Sequence, residues 1–142
     1  MRTMAVDYGD VRIGLAVSDL TGTLCGEAWT MREKDPARAA ERIAAEAAER
    51  EVGTLVLGLP KNMDGTEGPR AEKSRAFAAL LEEASGLPVV LWDERRSSVE
   101  AHAILHAVGK KEKKHRQTVD AVAASLILEG YLGSAAAKAA EP

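Results

Sequence analysis

A single cysteine, Cys25, stands in 142 residues. An internal disulfide is therefore excluded, and no Cys/His spacing suggests a zinc site. The expected role of Cys25 is a small buried or half-buried thiol. Aromatics make up only 4% of the chain, so the core must be aliphatic and alanine-rich. A long apolar run is missing too: the opening MRTMAVDYGD reaches an acid by Asp7. It reads as neither signal peptide nor membrane span, which predicts a cytoplasmic protein without membrane partners. There is one asparagine, Asn62, and one glutamine, Gln117. Such depletion follows a thermophile trend, though genome composition produces the same bias. Positive charge is not in excess either: the net charge is −3. That argues against a nonspecific nucleic-acid coat but not against a nuclease. Metal-binding carboxylates lower the net charge themselves, and a local basic patch can still hold phosphates.

What is present fits one domain. The expected domain covers residues 1–133, and the tail 134–142 is expected to be disordered. TMAVD (3–7) reads as a strand. VRIGLAVS (11–18) alternates Val11, Ile13, Leu15 and Val17 with small or polar residues, as a half-buried strand does. TGTLCGEAWTM (21–31) gives a third strand and completes an antiparallel meander. The period then changes. Asp35-Pro36 offers a helix N-cap and first residue. The helix runs to about residue 50, with Ala39, Ile43, Ala44, Ala47 and Ala48 on one face, and Gly53 closes it. TLVLGLP (54–60) and LPVVLW (87–92) are continuous apolar runs, expected of parallel strands buried on both faces. Between them lie a polar loop and a helix over about 70–84, with Phe77, Leu80, Leu81 and Ala84 in its stripe, closed by Gly86. A helix capped by Ser97 or Ser98 runs through Ala107. The last helix spans about 117–132, with Val119, Val122, Ala123, Leu126, Ile127 and Tyr131 apolar. The sum is an α/β fold: a mixed five-stranded sheet, a three-strand antiparallel meander plus two parallel strands, with helices packed on it. Its crossovers should be right-handed.

Three carboxylates fall at one end of this sheet. Asp7 ends the first strand, where ligands gather in open α/β folds. Alone it reads equally as a turn residue bonding the backbone of Tyr8–Asp10. Asp93 and Glu94 end the last strand. Successive residues face opposite sides, so one can face the site and the other a helix end or solvent. Asp120 opens the final helix, where an idle acid is also favoured by the helix dipole. Together the three repel one another unless a cation is present. Mg²⁺ accepts a few carboxylates with waters and substrate phosphates. Two such ions about 3.5–4 Å apart could activate water and stabilise the departing oxygen of a phosphodiester.

The stretches VDYGDVRIGLAVSD (6–19), LVLGLPKNMDGTEGPRA (55–71), LWDERRSSVEA (91–101) and VDAVAASLILEGYL (119–132) span nearly the whole chain. In this combination the sequence resembles the YqgF family, also called RuvX, of RNase H-like proteins related to Holliday-junction resolvases. The resemblance implies an RNase H-like fold and a metal-dependent endonuclease that processes the 5′ end of precursor 16S ribosomal RNA. It also implies a cytoplasmic role in ribosome biogenesis, Mg²⁺ or Mn²⁺ as cofactor, contact with a pre-ribosomal particle, and Asp7, Glu94 and Asp120 as the acidic, metal-holding site. Thr118 stands where a lysine often precedes the final VD, leaving Arg116 or His115 to meet phosphate there.

Other residues could support the site. Gly58, Gly65 and Gly68 let the loop after the fourth strand approach a backbone closely. Asn62, Asp64 and Thr66 could bind phosphate, sugar or metal-bound water, or simply form a solvated turn. Arg95 and Arg96 offer planar forks for phosphate, one of them better assigned to an ion pair. Lys113, Lys114 and Arg116 belong to a charge run, 110–116, that could clamp substrate through phosphates or stay solvated. His102, His106 and His115 read as surface residues, since no third ligand accompanies the first two. Two alternatives stand beside precursor rRNA cleavage. One is four-way DNA junction resolution, which would want a symmetric dimer. The other is a catalytically weak RNA-binding maturation factor. An actin-like ATPase ranks last, because a single domain lacks the half that closes over a nucleotide. Monomer and homodimer are both open.

Overall fold

The computed structural model describes residues 2–20, 25–94 and 116–134, with the side chains of 116–118 left out. The strands are β1 (Arg2–Tyr8), β2 (Arg12–Ser18), β3 (Cys25–Arg32), β4 (Val52–Leu59) and β5 (Val89–Asp93). The helices are α1 (Pro36–Glu49), α2 (Pro69–Ser85) and α3 (Arg116–Leu132). Strand order is β3-β2-β1-β4-β5. β1 is antiparallel to β2, and β2 to β3, while β1, β4 and β5 are mutually parallel. This is the mixed sheet that the meander and the two buried runs imply.

Alternation along the strands divides the core in two. Met4, Val6, Ile13, Leu15, Leu55 and Leu57 face α1 and α2, which bury Ile43, Phe77 and Leu81 against them. Ala5, Ala16, Val56 and Trp92 face α3, which contributes Ala124, Ile127, Leu128 and Tyr131. The α3 side is floored by small residues because the helix lies close. A Cβ on Gly14 would sit 2.0 Å from the carbonyl oxygen of Asp120. Trp92 and Tyr131 meet edge to face, 6.1 Å between centroids, an arrangement favoured by ring quadrupoles.

Four local expectations are corrected. β2 is not half-buried: Ile13–Ser18 are all buried, because α3 covers the face of Gly14 and Ala16. Gly53 does not close α1; it lies inside β4. The helix ends at Glu49, the amide of Arg50 bonds back to the carbonyl of Glu46, and Glu51 takes the left-handed conformation, φ 56°. Gly58 is not in the loop after β4 but in the strand itself. Ala48 and Ala84, expected in helix stripes, are exposed. Pro36 does stand at the first position of α1, although Asp35 makes no side-chain cap bond. Gly86 does close α2, at φ 70° with its amide on the carbonyl of Glu82. Cys25 is half-buried, its thiol 3.7 Å from the Ser125 hydroxyl. The helix expected through Ala107 lies outside the described residues, as do 135–142 of the expected tail. Ser134 is buried, its hydroxyl donating to the carbonyl of Tyr131. Among the described residues no helix is long and apolar enough to cross a membrane.

Candidate active site

Strand parity selects which acids can meet. Ala5 faces α3, so Asp7, two residues on, shares that face. Trp92 faces α3, so Glu94 continues its side, and Asp93 belongs to the face of α1 and α2. Asp7 pairs in register with Gly14, the residue against which the start of α3 rests at Asp120. One face at one end of the sheet thus carries Asp7, Glu94 and Asp120. Gly58 completes the floor: a Cβ there would lie 2.8 Å from Glu94 Oε1 and 2.7 Å from Ile127 Cδ1. A side chain at that position would displace the carboxylate.

The electrostatics follow from this crowding. Burial, then the charge of Asp120, raises Asp7 to about 6, with Arg70 opposing. Burial, then the charge of Asp7, raises Glu94 to about 7, again against Arg70. Burial also raises Asp120, while Arg12 pulls it down. Asp7 is therefore the central group, coupled to the other two. Among the described residues neither Asp7 nor Glu94 accepts a hydrogen bond, so the turn role open to Asp7 is not the one it fills. Arg12 Nε lies 3.2 Å from Asp120 Oδ2 as an ion pair whose geometry falls short of a hydrogen bond, and that buried oxygen accepts none.

Among the described residues no three acidic, histidine or cysteine side chains converge tightly enough to cage one metal ion. The donor set still suits a hard cation held by one or two carboxylates with water and phosphate. Asp7 is buried against the charge of Asp120 and Glu94 against that of Asp7, and Asp120 Oδ2, with Arg12 beside it, accepts no well-directed hydrogen bond among the described residues. A cation would relieve each of these costs.

Arginines absent from the sequence reading border the site. Arg70, at the start of α2, reaches Asp10 Oδ1 at 3.2 Å and the carbonyl of Tyr8 at 3.1 Å. Arg12 pairs with Asp120. Both lie in the family-like stretches, but only the fold shows which acids they face. Asn62, Asp64 and Thr66 follow β4 at the same sheet end, yet they bond one another. Asn62 Nδ2 donates to Thr66 Oγ1 at 2.9 Å, and the amide of Thr66 to Asp64 Oδ1 at 3.0 Å. Arg95, Arg96, Lys113, Lys114 and the three histidines lie outside the described residues, as does the side chain of Arg116.

The family model described as RuvX, Holliday junction resolvase, matches residues 1–134. A relative from Halothermothrix orenii, named "Putative pre-16S rRNA nuclease", is 45% identical over 132 residues, 93% of this chain and 94% of its own. One from Anaeromyxobacter sp. strain K bears the same name and is 48% identical, covering 93% and 96%. Among solved structures, Thermus thermophilus RuvC in complex with a Holliday junction substrate gives a TM-score of 0.61 at 13% identity, covering 92% of this chain and 94% of that one. Fowlpox virus resolvase with its junction DNA gives 0.55 at 15% identity, covering 93% and 97%. At such identities the likeness is one of fold, and that fold is RNase H-like.

Proposed function

The chain belongs to the RuvX family of Holliday junction resolvases, and from that premise we propose that it is a metal-dependent endonuclease acting at Asp7, Glu94 and Asp120. The observation that carries the reading is the parity of the strands, by which Asp7 and Glu94 share the face that the first turns of α3, with Asp120, rest against. Burial penalises the ionised form of all three acids, and acidic neighbours add to it at Asp7 and Glu94, while only Asp120 has an ion-pair partner among the described residues.

Asp7 and Glu94 would hold Mg²⁺ or Mn²⁺, one ion or two, with Asp120 closing the set. The bound cation supplies an activated water and neutralises charge on the leaving oxygen. The protein's own groups orient the reaction. Asp7 is fixed by its register with Gly14, Glu94 by the gap over Gly58, and Asp120 by Arg12. Arg70 offsets negative charge at both Asp7 and Glu94. Arg95, Arg96, Lys113, Lys114 and Arg116 would add phosphate contacts, and Asn62, Asp64 and Thr66 line the same end of the sheet.

The substrate we favour is precursor 16S rRNA, on the names of relatives that are 45% and 48% identical across most of the chain. The family description favours a second reading, the four-way DNA junction. The protein would act as a single domain over 1–133 in the cytoplasm, as monomer or homodimer, on RNA within a pre-ribosomal particle in the first reading. The test sets a 5′-extended 16S precursor beside a synthetic four-way junction, with Mg²⁺ or Mn²⁺ and with Asp7→Asn as control. Cleavage of the RNA, lost in the variant, is expected. Cleavage of the junction alone moves the protein to recombination. Binding without cleavage of either leaves a maturation factor.

A further inference from the structure

β2 and β3 set two arginines directly opposite each other. Arg12 and Arg32 are register partners, so their side chains leave the same face of the sheet. Like charges in that position destabilise an antiparallel pair. Arg12 is compensated by Asp120. Arg32 is exposed and forms no ion pair among the described residues. A third guanidinium, Arg70, closes the group from α2 with Asp10 as its partner. Together they line an open cleft of 410 Å³ that Gly9–Val11 and Asp120 complete. Three guanidiniums face two carboxylates there, an imbalance that invites an anion.

We propose that the cleft formed by Arg12, Arg32 and Arg70 binds a phosphate of the nucleic-acid strand next to the one being cleaved. The inference rests on the nuclease reading and extends it to how the strand lies. Guanidinium forks match phosphate oxygens in geometry and charge. Strand order gives the track. Arg32 and Arg12 sit on β3 and β2, Asp7 on β1, and Glu94 beyond β5. With neighbouring strands about 4.8 Å apart, the cleft lies roughly 5–10 Å to one side of Asp7. Asp120 belongs to both places, lining the cleft and raising Asp7. A strand crossing this end of the sheet would thus meet the arginines before the acids.

Arg32 is the residue to change, because it is exposed and unpaired among the described residues, so folding does not depend on it. Anisotropy of a labelled single-stranded RNA, in EDTA to prevent cleavage, reads affinity across a salt series. Arg32→Gln is expected to weaken binding about tenfold and to lower the salt slope by about 0.7, the loss of one phosphate contact on a single strand. Arg32→Lys, which keeps the charge, should hold the slope. Arg50→Gln removes the same charge at the opposite end of the sheet and should leave both readings unchanged. Equal weakening by Arg32→Gln and Arg50→Gln would mean bulk charge and overturn the proposal. So would wild-type affinity in Arg32→Gln, even while Asp7→Asn abolishes cleavage and upholds the nuclease. Calorimetric binding of inorganic phosphate that depends on Arg32, with RNA affinity unaffected, would mark a free-anion site and also overturn it. Absence of both cleavage and RNA binding in the wild type would remove the nuclease reading and this one with it.

Discussion

Without a divalent cation the acidic site should make the protein less stable as pH rises, and removing one acid should lessen this. Asp7 titrates near 3.8 when unfolded and at about 6 in the fold. Glu94 moves from 4.5 to about 7. Between those values the folded chain binds more protons than the unfolded one. Stability is therefore full below about pH 4, falls as pH rises through about 7, and is flat above. At about 1.4 kcal/mol per tenfold change, the shift of Asp7 corresponds to about 3 kcal/mol against the charged fold. Asp7→Asn removes that charge but leaves an amide to be satisfied at a cost of about 1–2 kcal/mol, so the net gain at pH 8 is about 1–2 kcal/mol. For a chain of this size that is roughly 3–6 °C in Tm. Thermal unfolding in EDTA at pH 5 and pH 8 reads it directly. The gain should be small at pH 5 and large at pH 8. Added Mg²⁺ should raise the wild-type Tm at pH 8 but not that of the variant, since a ligand stabilises only the state that binds it. Parallel Tm curves for the two proteins from pH 4 to pH 8 would refute the crowding on which the site rests.

Gly58→Ala should cut cleavage more than stability. The added Cβ meets only Ile127 Cδ1 and Glu94 Oε1, both ends of flexible side chains, and paired activity and urea-denaturation measurements would show the split. Gly14→Ala should do the opposite in degree. Its Cβ meets the backbone of Asp120, and overpacking of this kind costs about 1–3 kcal/mol or more, readable in the urea midpoint. Arg12→Gln should shift the acid limb of the pH–rate profile upward, because Arg12 is what lowers Asp120; an unmoved limb would exclude Asp120 from the titration that controls rate. Glu51→Gly should stabilise the chain by up to about 1 kcal/mol, since φ 56° at Glu51 is strained for a residue with a side chain.

The sheet was legible because its signals were periodic. Alternation in 11–18, apolar runs at 54–60 and 87–92, and Pro36 and Gly86 at helix boundaries each rest on local backbone chemistry. The misreadings were tertiary. Ala16 and Gly14 look like the open side of a half-buried strand, because small residues do not announce what covers them. Gly53 looks like a helix stop, yet the turn before it was made by Glu51 at a cost that only packing can offset. The acids were visible as types, and the family-like motifs gave their grouping. The arginines were visible as letters only. Their roles depend on register, Arg12 opposite Arg32, and on an approach from α2 sixty positions away from Asp10.

The same small residues that hid the second face also bind stability to function. α3 reaches the sheet only because Gly14 and Ala16 leave room, and its docking buries Ile127 and Leu128. That docking also fixes Asp120 beside Asp7 and brings Ile127 over Gly58 beside Glu94. The helix cannot settle at a different height without separating the carboxylates. Core packing on this face thus opposes their repulsion, and a mutation that loosens α3, such as truncation of Ile127, should relax the raised pKa of Asp7 before it unfolds the protein. The acid site is in this sense a strain held by the apolar contacts beneath it, and its release by a cation would couple metal binding to the stability of the fold.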